Sequence, residues 1–235
     1  MHRYFLDDDL MLGKIRISGA EAHHLIHVMR TAVGESVELF DGRGNVARGE
    51  LVELRRNEAL IDAGEVQHTT RPSGPVLISA VPKGDRFRWL VEKATELGVS
   101  RLIPVTTELS VVAPRESKIE KQEQTVVAAC KQSGRNWLMQ VDTLRTLEQA
   151  TEENRETVLK YVADPAGESL PATNGSAGDS PVFVIGPEGG LTSSELDRLE
   201  ARGYEKIRLG PSILRIETAA VSLAGWWCLS RMDLQ

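Results

Sequence analysis

The clearest candidates for chemistry in this 235-residue sequence are two glycine-containing turns. The first, residues 186–190 (GPEGG), follows the apolar run 182–185, and the second, Gly210-Pro211, follows Leu209. Glycine lets a backbone approach a ligand closely, and the N–H groups of such a turn can hold a carboxylate or a ribose. Ligands of open α/β sheets bind at the carboxyl ends of strands, so two such turns predict one shared pocket. The alternative is a pair of tight strand-to-helix turns without a ligand.

The same turns exclude several familiar classes of enzyme. Neither matches G-x-G-x-x-G or G-x-x-x-x-G-K-[ST], which argues against a dinucleotide fingerprint and against a P-loop. The sequence has no G-x-S-x-G elbow, and neither Cys130 nor Cys228 stands in a context typical of a nucleophile. The pattern favours a group-transfer or binding protein over a hydrolase.

Charged residues cluster at two predicted helix ends. Arg215 and Glu217 follow the second turn, whereas Lys131, Arg135 and Asn136 crowd the end of a helix predicted over residues 117–133. The second group has donors suited to a phosphate or a base edge. In the alternative interpretation, the first pair is solvated and the second group complements the helix dipole.

A histidine-rich segment is the only hint of a metal. His23 and His27 are four residues apart in a helix predicted over residues 19–31, but H-E-x-x-H and a third ligand are missing. We therefore predict no metal, and a helix that packs on its own domain with Arg30 facing a partner.

Composition and charge limit the cellular setting. A net charge of -6 and 5% aromatic residues argue against a basic protein that coats nucleic acid, although a local basic cleft remains compatible. Two cysteines without a C-x-x-C pair favour a reducing compartment. The acidic start is unlike a signal peptide, and the apolar run 219–229 is about half of the roughly 20 residues that a membrane span needs. The prediction is a cytoplasmic protein without membrane contact.

The pattern of predicted strands and helices changes near residue 72. Residues 1–72 alternate in short runs around the Asp-Gly and Gly-Asn dipeptides of 41–45, which predicts a small β-rich domain of barrel type. Residues 73–235 alternate strand and helix, which predicts a mostly parallel sheet covered by helices. Thr192 and Glu195 fit a capping box at a helix start. Residues 166–181, rich in Gly, Ser, Ala and Pro, predict a surface loop or a short disordered insert.

Several ordered motifs resemble one known family. They are IGPEGGLTSSE (185–195), LGPSILRIETA (209–219), KGDRFRWLVEKATELGV (83–99), KQSGRN (131–136), HHLIHVMR (23–30) and ELFDGRGN (38–45). Together they resemble the RsmE family, the 16S rRNA (uracil-N3) methyltransferases of the SPOUT superfamily. The match extends over nearly the whole chain in the family's order.

This resemblance implies a fold and a set of partners. It implies a PUA-like β-barrel for RNA binding over residues 1–72, and an α/β SPOUT methyltransferase domain with a trefoil knot over residues 73–235. It further implies a homodimer, S-adenosyl-L-methionine as cofactor, and 16S rRNA of the small ribosomal subunit as substrate.

The resemblance also assigns residues to roles. Those implied to hold the cofactor are Gly186, Pro187, Glu188, Gly189, Gly190, Leu209, Gly210, Pro211 and Leu214. Those implied beside the transferred methyl group are Arg215, Glu217 and Thr218. For the reaction we expect Arg215 or Arg135 to stabilise the negative charge on the uracil carbonyl oxygens, and Glu217 or Glu188 to accept the proton. Those implied to contact rRNA are Arg30, Lys83 and Lys93. Ser212, Ile216 and Leu109 depart from the family pattern, so cofactor binding is implied more firmly than the exact target.

Two other functions remain open from the sequence. One is a SPOUT methyltransferase that modifies another RNA atom. The other is a non-catalytic RNA-binding assembly factor that retains the fold. Binding of S-adenosyl-L-methionine and the identity of the modified atom distinguish the three.

Overall fold

A computed structural model describes residues 1–111, 119, 122–170 and 180–230 of the chain. The elements, in chain order, are β1 (His2–Phe5), β2 (Gly13–Ser18), α1 (Gly19–His23), a π-helical turn (His24–Val28), β3 (Ser36–Phe40), β4 (Asn45–Leu54), β5 (Glu58–Ala63), β6 (Gln67–His68), β7 (Val76–Ala80), α2 (Arg86–Glu96), β8 (Arg101–Thr106), α3 (Glu123–Ser133), β9 (Gln140–Val141), β10 (Arg145–Thr146), α4 (Leu147–Glu153), β11 (Lys160–Ser169), β12 (Val182–Ile185), α5 (Ser193–Ala201), β13 (Glu205–Arg208) and α6 (Ile216–Ser230).

The chain forms two compact units. The first comprises Met1–Pro72 and Val127–Leu138, and the second comprises Ser73–Val126 and Met139–Gln235. The division near residue 72 coincides with the change in the pattern of predicted strands and helices. The structure differs from the predicted ranges in one respect, because Val127–Leu138 adds to the first unit.

The first unit is built on a six-stranded sheet. Its strands pair in the order β1-β3-β4-β5-β2, with β6 beside β4, and all pairs are antiparallel except β1 with β3. Alternate residues point into one apolar core, as Val37 and Leu39 of β3 do. The β-rich prediction is confirmed, and closure of this sheet into a barrel stays a prediction.

The helix predicted over residues 19–31 is shorter and less regular than expected. Met29 donates its N–H to the carbonyl of His24, five residues earlier, at 2.9 Å, which makes the second half a π-helical turn. Arg30 then adopts φ +53°, a conformation that ends the helix. This backbone leaves the Arg30 side chain exposed.

Arg3 holds Val127–Leu138 within the first unit. Its guanidinium donates to the carbonyl of Cys130 at 2.9 Å and to Oδ1 of Asn136, and it lies over the Phe40 ring at 4.5 Å. Lys131 is also engaged, since its ammonium lies 2.8–2.9 Å from both carboxylate oxygens of Glu21. Lys131 and Asn136, two sequence candidates for phosphate or base contacts, therefore hold this unit together.

The second unit is a parallel sheet, as the alternating pattern predicts. Its order is β10-β8-β7-β12-β11-β13, with β9 beside the start of β8. The short strand β12 lies between β7 and β11, and all four of its residues are buried. In α2 the predicted apolar face is buried at Phe87, Leu90, Val91 and Ala94.

The predicted loop over residues 166–181 is wrong for its first residues. Strand β11 continues to Ser169 and pairs with β13 again after a register shift between Ala163 and Glu168. Gly167 makes this pairing possible, because a Cβ there would lie 2.5 Å from the backbone nitrogen of Ile207. Residues 171–179 lie outside the described residues.

The helix predicted over residues 117–133 is described only in its second part. Helix α3 begins at Glu123, directly after a turn at Gln122, and residues 117–118 and 120–121 lie outside the described part of the chain. Helix α6 begins at Ile216, between Arg215 and Glu217. Among the residues described, every helix is too short or too polar to cross a lipid bilayer.

Tyr204 gives a prediction about stability. Its hydroxyl is buried without a hydrogen-bond partner among the described residues, and burial raises its pKa to about 12. The folded pKa exceeds the unfolded value, so the associated stability is complete below pH 10 and is lost as the pH rises towards 12. We expect Tyr204→Phe to be at least as stable as the wild type at pH 8, since no hydrogen bond is lost. Between pH 10 and 12 the free energy of unfolding of Tyr204→Phe should fall by about 2 kcal/mol less than that of the wild type.

Urea titrations of both proteins at pH 8 and at several values above pH 10 measure these differences. The Tyr161→Phe variant is the control, because burial raises the pKa of Tyr161 as well, without the large shift of Tyr204. A Tyr204→Phe variant that is clearly less stable at pH 8 would show that the hydroxyl is bonded in solution.

Candidate active site

Residues of both glycine turns line one cavity of about 370 Å³. The cavity lies at the carboxyl ends of β12 and β13, where open α/β sheets bind ligands, and beside residues 163–165 in the middle of β11. All nine residues implied to hold a cofactor line it, namely Gly186, Pro187, Glu188, Gly189, Gly190, Leu209, Gly210, Pro211 and Leu214. The structure thus brings together two turns that are about twenty residues apart in the sequence.

Strand register explains why the turns meet. Ile185 pairs with Ala163, and Ala163 pairs in turn with Ile207, so the ends of β12 and β13 lie at the same level of the sheet, on either side of β11. The first turn is tight, because the N–H of Gly190 donates to the carbonyl of Pro187 at 2.8 Å. Gly190 adopts φ +76°, which a side chain rarely tolerates. These local constraints shape one wall of the cavity.

A buried carboxylate joins the first turn to a neighbouring loop. Glu195 completes the predicted capping box, accepting from the N–H of Thr192 at 2.9 Å, and this prediction is confirmed. Its other oxygen accepts from the N–H of Glu108, also at 2.9 Å. Leu109, beside it, packs within 3.6 Å of the Cβ position of Gly189. Glu195 therefore fixes loop 107–110 against the glycine turn, a role that sequence reasoning missed.

Arg86 is a second residue that sequence reasoning missed. Its guanidinium nitrogen Nη1 lies 3.4 Å from Oε1 of Glu217 and 3.9 Å from Oε1 of Glu188. The Glu217 side chain is only 8% exposed, and its Oε2 has no hydrogen-bond partner among the described residues. Arg86 thus links a wall of the cavity to a buried carboxylate with one unoccupied oxygen.

The three residues named as catalytic candidates do not all belong to the same unit. Arg215 and Glu217 stand at the start of α6, where the carbonyl of Arg215 accepts from the N–H of Ala219 at 2.9 Å. The Arg215 side chain is exposed and has no ion pair within the described part of the chain. Arg135 belongs to the first unit, where its carbonyl accepts from Arg3. Only the first two are therefore neighbours within one unit.

The three residues implied to contact rRNA differ in availability. Arg30 and Lys83 are exposed, and no ion pair of either occurs among the described residues. Lys93 instead lies 2.8 Å from both Glu92 and Glu96, and hydrogen bonds to these carboxylates raise its pKa. The charge of Lys93 is thus already balanced by its own helix.

Comparison with known proteins decides the family. Residues 71–228 match the family model of an RNA methyltransferase domain, and residues 17–63 match that of an RNA methyltransferase PUA domain. The chain belongs to the RNA methyltransferase family. The methyltransferase domain so defined contains the whole cavity between the two glycine turns.

Similar proteins cover this RNA methyltransferase almost end to end. The ribosomal RNA small subunit methyltransferase E of Bacillus subtilis is 31% identical over 93% of both chains. Its counterpart from Synechocystis is also 31% identical, over 92% of this chain and 74% of its own. A Neisseria gonorrhoeae ribosomal RNA small subunit methyltransferase E, solved bound to S-adenosyl methionine, is 27% identical with a TM-score of 0.86, over 100% and 98% of the two chains.

These matches confirm the resemblance found in the sequence. The predicted α/β methyltransferase domain, preceded by a PUA domain, is the fold shared with these relatives. The PUA match ends at residue 63 and the methyltransferase match begins at residue 71, close to the change in the pattern of predicted strands and helices.

Proposed function

We propose that this RNA methyltransferase transfers a methyl group from S-adenosyl-L-methionine to N3 of one uridine in 16S rRNA of the small ribosomal subunit. The observation that carries this proposal is the convergence of both glycine turns on one cavity. The relatives named as ribosomal RNA small subunit methyltransferase E, one of them solved with S-adenosyl methionine, support the substrate and the cofactor.

The residues of the cavity fit this cofactor. A volume of about 370 Å³ falls within the range of pockets that enclose a small molecule. Backbone groups of the Gly186–Gly190 and Leu209–Pro211 turns would hold the adenosine, because glycine has no side chain and leaves the main chain accessible there. Leu214 and Ile216 supply an apolar wall. When bound, S-adenosyl-L-methionine supplies an electrophilic methyl group on a sulfonium.

The side chains beside the cavity would prepare the uracil. N3 carries a proton, and as that proton leaves, negative charge spreads onto the flanking carbonyl oxygens. Arg215, which is exposed and has no ion pair with the residues that the structure describes, is suited to stabilise that charge. Glu217, whose Oε2 lacks a partner among the described residues, is suited to accept the proton, directly or through a water. Arg86 would orient Glu217 through its ion pair.

The remaining roles concern the substrate and the assembly. We assign RNA binding to residues 1–72 and methyl transfer to residues 73–235, with Arg30 and Lys83 as contacts to rRNA. A base in folded RNA must be splayed out before it reacts, which a separate RNA-gripping domain would assist. The resemblance to SPOUT enzymes supports a trefoil knot around the cofactor site, a homodimer and action in the cytoplasm.

The proposal is tested with small ribosomal subunits from cells that lack this gene. The protein is incubated with them and with methyl-labelled S-adenosyl-L-methionine, and nucleosides from the rRNA are separated. We expect one labelled 3-methyluridine per subunit. Label in another nucleoside would replace the uracil-N3 assignment. Cofactor binding without label in this RNA would exclude it as substrate, and neither binding nor label would favour a non-catalytic assembly factor.

A further inference from the structure

An aromatic side chain of the first unit has surroundings that suit a nucleotide. Trp137 is partly exposed, and the guanidinium carbon of Arg71 lies 5.5 Å from the centre of its ring. The ring of His68 stands edge-on to the indole at 5.9 Å. We call Trp137, Arg71 and His68 the Trp137 patch. None of the three is a candidate residue of the sequence analysis.

The indole ring is held firmly in place. Its Nε1 donates to the carbonyl of Thr69 at 2.9 Å. Gly44 lets the ring lie directly against the backbone, since a Cβ there would come within 2.6 Å of two ring carbons. The Gly44 N–H also donates to the carbonyl of Asn136 at 2.9 Å. A ring already fixed by these contacts loses little conformational entropy when a ligand binds to it.

Arg71 brings a positive charge that the unit does not neutralise. Its side chain is exposed and has no ion pair with any described residue. Arg43, on the same unit, shows the contrast, because it lies 3.1 Å from Asp9 and 3.6 Å from Asp41. A guanidinium free of carboxylates is available to a phosphate, for which its planar fork is well suited.

We propose that the Trp137 patch binds single-stranded RNA, with a base stacked on the indole and the Arg71 guanidinium on the adjoining phosphate. The proposal rests on the proposed function, and it adds a contact to substrate RNA outside the cofactor cavity. Arg71, being exposed and held only by the ring, can swing outward to admit a base. The polar neighbours Thr69 and Asn136 favour a nucleotide over the apolar surface of a protein partner.

Two substitutions of Trp137 distinguish the loss of base stacking from a change in the fold. Trp137→Phe and Trp137→Leu both lose the hydrogen bond to Thr69, but only Phe keeps an aromatic face. The probe is a fluorescently labelled oligouridine of about ten nucleotides, titrated with the full chain at 0.1 M salt. Stacking of one base contributes about 1–3 kcal/mol, which corresponds to about five- to 150-fold in affinity. We expect a loss of about tenfold or more for Leu and less than about threefold for Phe.

Arg71→Gln is the second variant, because it leaves the indole and its hydrogen bond intact. It should weaken binding and reduce the salt dependence of the affinity by about one phosphate contact. Equal affinity of the Leu and Phe variants, or wild-type affinity of the Leu and Arg71→Gln variants, would overturn the proposal. So would a loss seen only with assembled subunits and not with free RNA, which would indicate a protein partner.

The outcome is independent of the methylation assay. If the Leu variant binds oligouridine weakly and the wild type methylates no small-subunit RNA, the RNA site stands and the proposed function fails. If the Leu variant keeps the wild-type affinity for oligouridine while small subunits are methylated, the proposed function stands and the RNA site at the Trp137 patch fails. With both intact, the Leu variant should raise KM for the subunit and leave kcat unchanged.

Discussion

Replacing Arg215 by Ala should lower the turnover of small-subunit methylation by about 10²- to 10³-fold, the range for loss of one group that stabilises an oxyanion. Arg215 is exposed at the start of α6 and has no ion pair within the described ranges, so its charge is available to substrate. It does not line the cavity between the glycine turns. The affinity for S-adenosyl-L-methionine should therefore stay within about twofold of the wild type.

Single-turnover methylation and equilibrium binding of the cofactor measure the two quantities separately. Arg155→Ala is the matched control, since the Arg155 side chain is 70% exposed and its ion pair with Glu152, at 3.6 Å, lies on the surface. The control should methylate at the wild-type rate. Full turnover of Arg215→Ala would remove Arg215 from the reaction, and equal losses of turnover and cofactor affinity would place it in the cofactor site instead.

The cavity was predictable because its determinants are local. Each glycine turn follows a short strand, and parallel strands place their carboxyl ends at one edge of the sheet, so the turns after β12 and β13 converge there although β11 lies between them. The capping box at Thr192 was readable for the same reason, as it needs only four consecutive residues. What the pattern left open was strand order, and the pairing of β11 with both β12 and β13 decides it.

The ion pairs were not predictable because they join distant segments. Arg86 meets Glu217 across 131 positions, and no spacing rule links the two. Lys131 looked like a phosphate ligand at a helix end, but tertiary packing brings Glu21 to it across 110 positions. Residues 166–169 have the composition of a loop, yet Gly167 allows the close approach of β13. In each case the sequence shows the residue types but not the distant residues that pack against them.

Replacing Glu217 by Gln should lower turnover by about 10²- to 10⁴-fold, the range for loss of a general base. The substitution keeps the shape of the side chain and removes its charge. Because Arg86 is partly exposed and the amide oxygen of Gln can still accept from it, and because the buried Oε2 has no partner among the described residues, the substitution should change the free energy of unfolding little. Thermal unfolding therefore distinguishes a lost base from a damaged fold, since damage would lower both stability and turnover.

Arg86→Gln, combined with Glu217→Gln in a double-mutant cycle, tests how the two act together. Arg86 is a positioning residue, 3.4 Å from Glu217 on one side and 3.9 Å from Glu188 on the other. If it acts by orienting Glu217, it should lower turnover in the wild type and have little further effect once Glu217 is Gln. Arg86→Lys keeps the charge and should recover part of the turnover. Additive losses in the cycle would mean that Arg86 acts on the cofactor wall through Glu188, independently of the buried carboxylate.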